Sequence, residues 1–167
     1  VDDEAFSIAR TPIVQTFVST QGGRPFTVIV NHFKSKGGAS SANAANKDKG
    51  DGQAAYNAAR RGQSLAICDY IKQNHQNTEQ SRVLVIGDLN AYQQEDPIDA
   101  LRANGLVDLH DRVRRSASSE SVGTEYTFVY YAQSGSLDHA FATASLAADV
   151  TGVSIWHINA DEPRFMD

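Results

Sequence analysis

The alternation of apolar and polar positions marks the elements in turn. Residues 12–19 alternate loosely and predict a strand. The string Gln21-Gly22-Gly23-Arg24-Pro25 is turn chemistry, so a hairpin into residues 26–33 is expected. That second segment is apolar almost throughout, as a central strand is. Residues 35–52 are rich in Ser, Gly, Ala and Asn and predict a long loop, the kind that carries function in a compact domain. Residues 53–74 have helical period. Ala58, Leu65, Cys68 and Ile71 fall on one stripe, Ile67 widens it, and Gly62 on the same stripe is expected to let the helix lie close to a sheet. Asn74-His75-Gln76-Asn77 breaks the helix, and a strand over 82–87 follows. A short helix comes next, with Asp96 as its N-cap, Pro97 in the first turn and Gly105 just past the end. Further strands are expected near 124–131, 136–142 and 149–157. Strands alternating with helices, with hairpins mixed in, predict a layered α/β fold with a mixed sheet, in one domain over 1–167 without repeats or an interdomain linker.

Composition narrows this picture. The chain has 167 residues, enough for one domain with a core, and a net charge of −5. That charge argues against a protein that coats nucleic acid by bulk electrostatics, but leaves room for an enzyme that meets a phosphodiester through a metal and a few local cations. Local cations exist as Lys34 with Lys36, Arg60 with Arg61, and Arg112 with Arg114 and Arg115. No apolar run is long enough to span a bilayer, and no signal peptide is recognisable. The chain opens on Val1 rather than Met, which fits a processed protein and an excised piece equally. Cys68 is the only cysteine, so no internal disulfide can form, and its apolar helical setting predicts an inert core thiol.

The chemistry concentrates at strand ends. Residues 83–92 read Val-Leu-Val-Ile-Gly-Asp-Leu-Asn-Ala-Tyr. Side chains on a strand alternate faces, so Asp88 and Asn90 emerge together while Leu89 returns to the core. A carboxylate beside a carboxamide suits a hard divalent cation and a phosphate oxygen. His32 ends the apolar strand in Asn31-His32-Phe33-Lys34-Ser35, where an isolated histidine is ordinarily a hydrogen-bonded strand terminus. Asp138 opens the string Asp138-His139-Ala140-Phe141, and His139, as its strand neighbour, points to the opposite face and reads as structural or peripheral. The acids of Asn46-Lys47-Asp48-Lys49-Gly50-Asp51-Gly52-Gln53 are spaced somewhat like a calcium loop but lack the distant Glu. Asp51 is better read as a cap for the following helix, and Glu95-Asp96-Pro97 likewise as capping.

Together these segments resemble the endonuclease/exonuclease/phosphatase family, the DNase I-like phosphodiesterases. The Gly87-Asp88-Leu89-Asn90 string resembles its signature, His32 its histidine-bearing strand end, and Gly135-Ser136-Leu137-Asp138 the strand whose Asp orients a catalytic histidine. Gly50-Asp51-Gly52-Gln53, Arg60 with Gln63, and residues 153–163 are similar to the secreted bacterial nuclease branch. The resemblance runs from Arg10-Thr11-Pro12 to Glu162-Pro163. It implies a DNase I-like layered β-sandwich flanked by helices and an extracellular, metal-dependent nuclease that takes DNA, with RNA as a further substrate. It implies Mg2+ at Asp88 and Asn90, with Mn2+ or Ca2+ as alternatives. Asp88 would then act near the metal and the attacking water, Asn90 on the phosphate and His32 at the phosphate or leaving oxygen. Asp138 would orient a histidine, and Lys34 and Lys36 would hold adjacent phosphates. A phosphomonoesterase or lipid phosphodiesterase of the same fold, and a non-catalytic module that holds DNA, are the rival readings.

One departure stands out. The family's early strands carry an Asn and a metal-binding Glu, and its last strand a Ser-Asp-His string. This sequence has neither, and Asp2, Asp3 and Glu4 read as a solvated loop. The expectation is therefore an incomplete domain lacking the first and last strands of the family fold. Such a chain alone would bind a divalent ion weakly and be nearly inactive. It would also self-associate through uncovered sheet edges.

Overall fold

The computed structural model describes residues 1, 3–75, 81–111, 126–157 and 160. Strand β1 (Ile13–Phe17) pairs antiparallel with β2 (Phe26–His32), and β2 pairs parallel with β3 (Val83–Asp88). Helix α1 (Asn57–Asn74) makes the crossover between β2 and β3. After helix α2 (Asp96–Ala103) come the short β4 (Val107–Asp108), a separate hairpin of β5 (Phe128–Tyr130) and β6 (Gln133–Gly135), then β7 (Asp138–Ala142) and a single helical turn, α3 (Ala144–Ala147). The main sheet has the order β1-β2-β3-β7-β4, with β7 antiparallel to both neighbours. This is the expected mixed α/β layering.

The two faces of the sheet differ. Ile29 of β2, Val83 and Val85 of β3 and Phe141 of β7 are fully buried with Ile67, Ile71, Ile98 and Leu101 of the helices, in one core that Phe6, Phe33 and Leu89 complete. The alternate residues point the other way. Ile13, Phe17 and Val30 are exposed there, and Val28, Leu84 and Ile86 are only half-buried. Among the described residues, no helix is long and apolar enough to cross a membrane.

Several local expectations are corrected. Helix α1 begins at Asn57, and Asp51 does not cap it: its carboxylate accepts from Gln53 N within the loop, while Asn46 Oδ1 accepts from Ala59 N of the first turn. The buried face of α1 is Arg60, Gln63, Ser64, Ile67, Cys68 and Ile71; Ala58 is exposed and Leu65 half-buried. Polar side chains occupy its N-terminal half because they satisfy buried backbone groups there. Arg60 donates to Ala55 O and Gln53 O, Gln63 bridges Lys34 N and Ala5 O, and Ser64 donates to Pro97 O. Gly62 has nothing within 4 Å of a would-be Cβ, so it permits no close approach. In α2 the N-cap is Glu95, whose side chain makes no capping bond; Asp96 is already helical, and Gly105 ends the helix at φ +87° as expected. Asp3 and Glu4 are exposed, as expected, but they belong to a 3-10 turn, Glu4–Phe6, that Asp3 caps and whose Phe6 is buried; Asp2 lies outside the described residues. Residues 149–157 form no strand, and β4 and β6 are additional. Arg112, Arg114, Arg115, the start of the strand expected near 124–131 and the end of the 153–163 segment lie outside the described residues.

Candidate functional site

Three strand ends converge. The parallel pair β2–β3 sets His32 opposite Asp88, and the antiparallel pair β3–β7 sets Asp88 opposite Asp138. Residues directly opposite in a ladder share a face, so the imidazole and both carboxylates project from the same side, the open one. His139 then faces the helices, as alternation requires. Gly87 makes the junction possible. Its φ is +129°, and a Cβ there would lie 2.0 Å from the backbone oxygen of Asn31 on β2. Only glycine lets the two backbones approach this closely just before Asp88.

Asn90 follows in a left-handed conformation, φ +48°. Its backbone N–H donates to Asp88 Oδ1 at 2.8 Å, and its side-chain amide donates to Phe33 O at 3.1 Å. An Asx turn thus links Asp88 to Asn90, and the amide ties that turn to the end of β2. One amide N–H remains after the Phe33 bond. His32 Nε2 lies 3.7 Å from Asp88 Oδ2 and 3.2 Å from an Arg10 guanidinium nitrogen. Arginine only donates, so here the Nε2 lone pair accepts; a protonated imidazole would instead donate toward Asp88. In the sequence Arg10 marks only the start of the resemblance, and its place beside His32 is a contact across 22 residues that no local pattern carries.

The carboxyl of Asp88 is pushed above the usual carboxylate range, chiefly by burial. The backbone N–H of Asn90 opposes this, the charge of Asp138 adds to it, and His32 and Arg10 pull it back. Asp138 itself is exposed at the start of β7, and its backbone N–H donates to Thr127 Oγ1. His139 is buried. Its Nε2 donates to Ala91 O at 2.7 Å, its ring stacks on His110 with centroids 5.1 Å apart, and its Nδ1 has no hydrogen-bond partner. Burial pulls its pKa down to about 4. It is a neutral structural group, as its place on the opposite face from Asp138 predicts. Cys68 is also buried, and burial pushes its thiol up to about 11, which keeps it inert.

The loop lysines have partners within the chain. Lys34 Nζ donates to Ser35 O and Gly37 O and sits 3.8 Å from the Tyr56 ring centroid. Lys36 pairs with the buried carboxylate of Glu95, which also faces the fully buried Arg60 at 3.8 Å. Glu95 is therefore a counter-ion shared by the loop after β2 and helix α1, a role invisible in the capping pattern that its sequence suggests.

Residues 6–159 match the sequence profile of the Endonuclease/Exonuclease/phosphatase family. The chain belongs to this family. Its members' fold recurs in solved structures at low identity. The human Nocturnin catalytic domain, solved with bound sulfate, is 18% identical with a TM-score of 0.53, over 80% of this chain and 41% of that one. An endonuclease/exonuclease/phosphatase family protein from Bacteroides thetaiotaomicron is 15% identical with a TM-score of 0.51, over 79% and 41%. A mannosyl-6-phosphatase from the same organism is 15% identical with a TM-score of 0.51, over 79% and 42%. The chain thus spans about two fifths of the length of the solved structures it matches, 41–42%. No curated protein sequence matches it. The family and fold are those of hydrolases, the nucleases and phosphatases that the family name joins.

The described residues gather no group of three or more His, Cys, Asp or Glu side chains able to hold a metal ion. The donors present are nonetheless of the right kind for a hard cation. The mutual repulsion of Asp88 and Asp138 is the sort of charge it would relieve, and Mg2+ is commonly held by one or two carboxylates plus waters and substrate phosphate rather than by an all-protein cage.

Proposed function

We propose that the protein carrying this chain hydrolyses phosphodiester bonds of nucleic acid, DNA first and RNA second, outside the cell. The observation that supports this reading best is the row His32–Asp88–Asp138, set side by side by strand register with Asn90 bound to Asp88. An acid–base pair and an amide at one strand edge suit in-line attack of water on phosphorus. Asp88 orients the attacking water and receives its proton. Asn90 turns its remaining amide N–H to a phosphate oxygen. His32, once protonated and so no longer an acceptor for Arg10, donates to the phosphate or the leaving oxygen. Asp138, on the same face, is the group that would orient a histidine toward the phosphate. A divalent ion, held by Asp88 and Asn90, would supply Lewis-acid stabilisation of the phosphate charge.

The same row serves any phosphate ester, and a phosphomonoesterase is favoured by the likeness in fold to the mannosyl-6-phosphatase. Turnover of plasmid DNA, sugar and inositol phosphates, and sphingomyelin by the full-length protein separates these readings. Preferred cleavage of DNA supports the nuclease. Preferred release of phosphate from a monoester, or of phosphocholine from sphingomyelin, overturns it, and salt-sensitive DNA binding without cleavage indicates a binding module.

A further inference from the structure

The hairpin β5–β6 leads straight into the candidate site and presents aromatic rings to solvent. Phe128 and Tyr130 lie two apart on β5, so they share a face; their rings are near-parallel, 16° between planes, with centroids 6.0 Å apart. Tyr130 is 48% exposed, and Tyr131 at the tip is 75% exposed and set edge-on to it. Gly135 is paired with Phe128, and the space a Cβ would fill at Gly135 is occupied by the ring of Tyr92, 2.5 Å from that position. Cross-strand partners project to one face, so Tyr92 lies on the same face of the hairpin as Phe128 and Tyr130. This aromatic row starts two residues after Asn90. The base of the hairpin is fixed to Asp138 by Thr127 Oγ1, which accepts from both Leu137 N and Asp138 N.

Two further features set this row apart from a stray apolar patch. Tyr131 and Ala132 hold φ of +47° and +61°, a turn geometry that glycine and asparagine adopt readily and that tyrosine and alanine resist. An exposed tyrosine kept in such a conformation points to a use for its ring. Residues 126–137 also contain no Asp, Glu, Lys or Arg. A hairpin without charges and rich in tyrosine, with Lys36 at its base over the Tyr92 ring and paired with Glu95, suits flat, uncharged bases whose phosphates lie elsewhere. Peripheral lipid binding ordinarily recruits lysine and arginine beside the aromatics; the hairpin itself carries none, and Lys36 beside Tyr92 is already paired with Glu95.

We propose that Phe128, Tyr130 and Tyr131, backed by Tyr92, whose own ring face is covered by Lys36 Nζ at 4.0 Å, form a platform on which unpaired bases of a single-stranded nucleic acid stack while its backbone passes Asp88. The inference rests on the nucleic-acid reading of the site and refines it, because bases inside a duplex have no free face to offer. Specificity then follows from strandedness rather than sequence, since every base has a π-face.

The test compares an oligothymidylate with an abasic strand of equal length and charge. Binding to this chain is read by fluorescence anisotropy at fixed salt in EDTA. The expected result is tighter binding of the base-bearing strand, by about fivefold to a hundredfold for each stacked base. Tyr130→Ser with Tyr131→Ser removes that preference, and Tyr130→Phe with Tyr131→Trp retains it. A melting temperature near that of the wild type shows that the serine variant is folded; if it is not, the wild-type comparison of the two strands decides alone. Equal affinity for both strands, with DNA still cleaved by the full-length protein, overturns the platform and leaves the nuclease reading standing. Binding of neither strand, with no cleavage, overturns both. Loss of affinity for phosphatidylcholine–phosphatidylserine vesicles in the serine variant, with base preference intact, assigns the rings to lipid and also overturns the proposal.

Discussion

His139 and Asp138 are adjacent in sequence and opposite in environment. Asp138 stands in solvent on the open face, whereas His139 is sealed under it, with Nε2 bonded and Nδ1 facing no acceptor. Protonating Nδ1 would bury a charged donor with nothing to receive it. The unfolded chain takes up that proton near pH 6.5, the folded one only near 4. Between these values the unfolded state holds more protons, so stability is complete above the upper one and is lost as pH falls toward the lower. The loss amounts to about 3 kcal/mol across the window. Melting temperatures from roughly pH 7 down to pH 5 should fall in the wild type, and His139→Gln should flatten that slope. A slope unchanged in the variant would assign the pH dependence elsewhere. The alternation that separates Asp138 from His139 was legible in the sequence, as was the grouping of Asp88 with Asn90. Arg10 was not, because its place beside His32 depends on how the segment before β1 crosses the sheet edge.

Glycine and buried polar groups decide the behaviour of the elements. Gly87 and Gly62 look alike in sequence and differ in consequence. Gly87→Ala forces a Cβ onto the Asn31 backbone at a φ that alanine resists, and should cost about 3–5 kcal/mol in denaturant unfolding. Gly62→Ala meets open space inside a helix and should stabilise by about 1 kcal/mol. Glu95→Ala strips the counter-ion from Lys36 and the fully buried Arg60, and should destabilise by about 3–5 kcal/mol. Retention of full stability would show that water or backbone carbonyls already compensate both cations. The positions of β1, β2, β3, α1 and α2 followed from period and turn chemistry. The buried face of α1 did not: an apolar stripe cannot reveal that Arg60, Gln63 and Ser64 go inside, since they do so to satisfy carbonyls of distant loops. Strands as short as β4 and β6 carry too few residues to show a period at all.

At the scale of the whole molecule, one face of the sheet is packed by α1 and α2, while the other is covered at its β7–β4 end, where Ala142 and Leu84 pack with Leu109 and Ala147, and open over β1 and β2. The open face bears Ile13, Phe17 and Val30 along β1 and β2, and β1 is an edge. An exposed edge beside an apolar face favours association with another chain. Sedimentation of this chain should show concentration-dependent self-association that Val30→Lys weakens; a monomer at all concentrations would contradict this. The candidate site lies at the rim of that same open face, so the row His32–Asp88–Asp138 is fixed by strand register on one side and accessible on the other. The most direct measurement of its role is DNA cleavage by the full-length protein, wild type against Asp88→Asn and His32→Ala, with Mg2+ present and then removed by EDTA. The account predicts cleavage that stops in EDTA, falls about 10²–10⁴-fold in His32→Ala and is lost in Asp88→Asn. Cleavage by Asp88→Asn at the wild-type rate would contradict it.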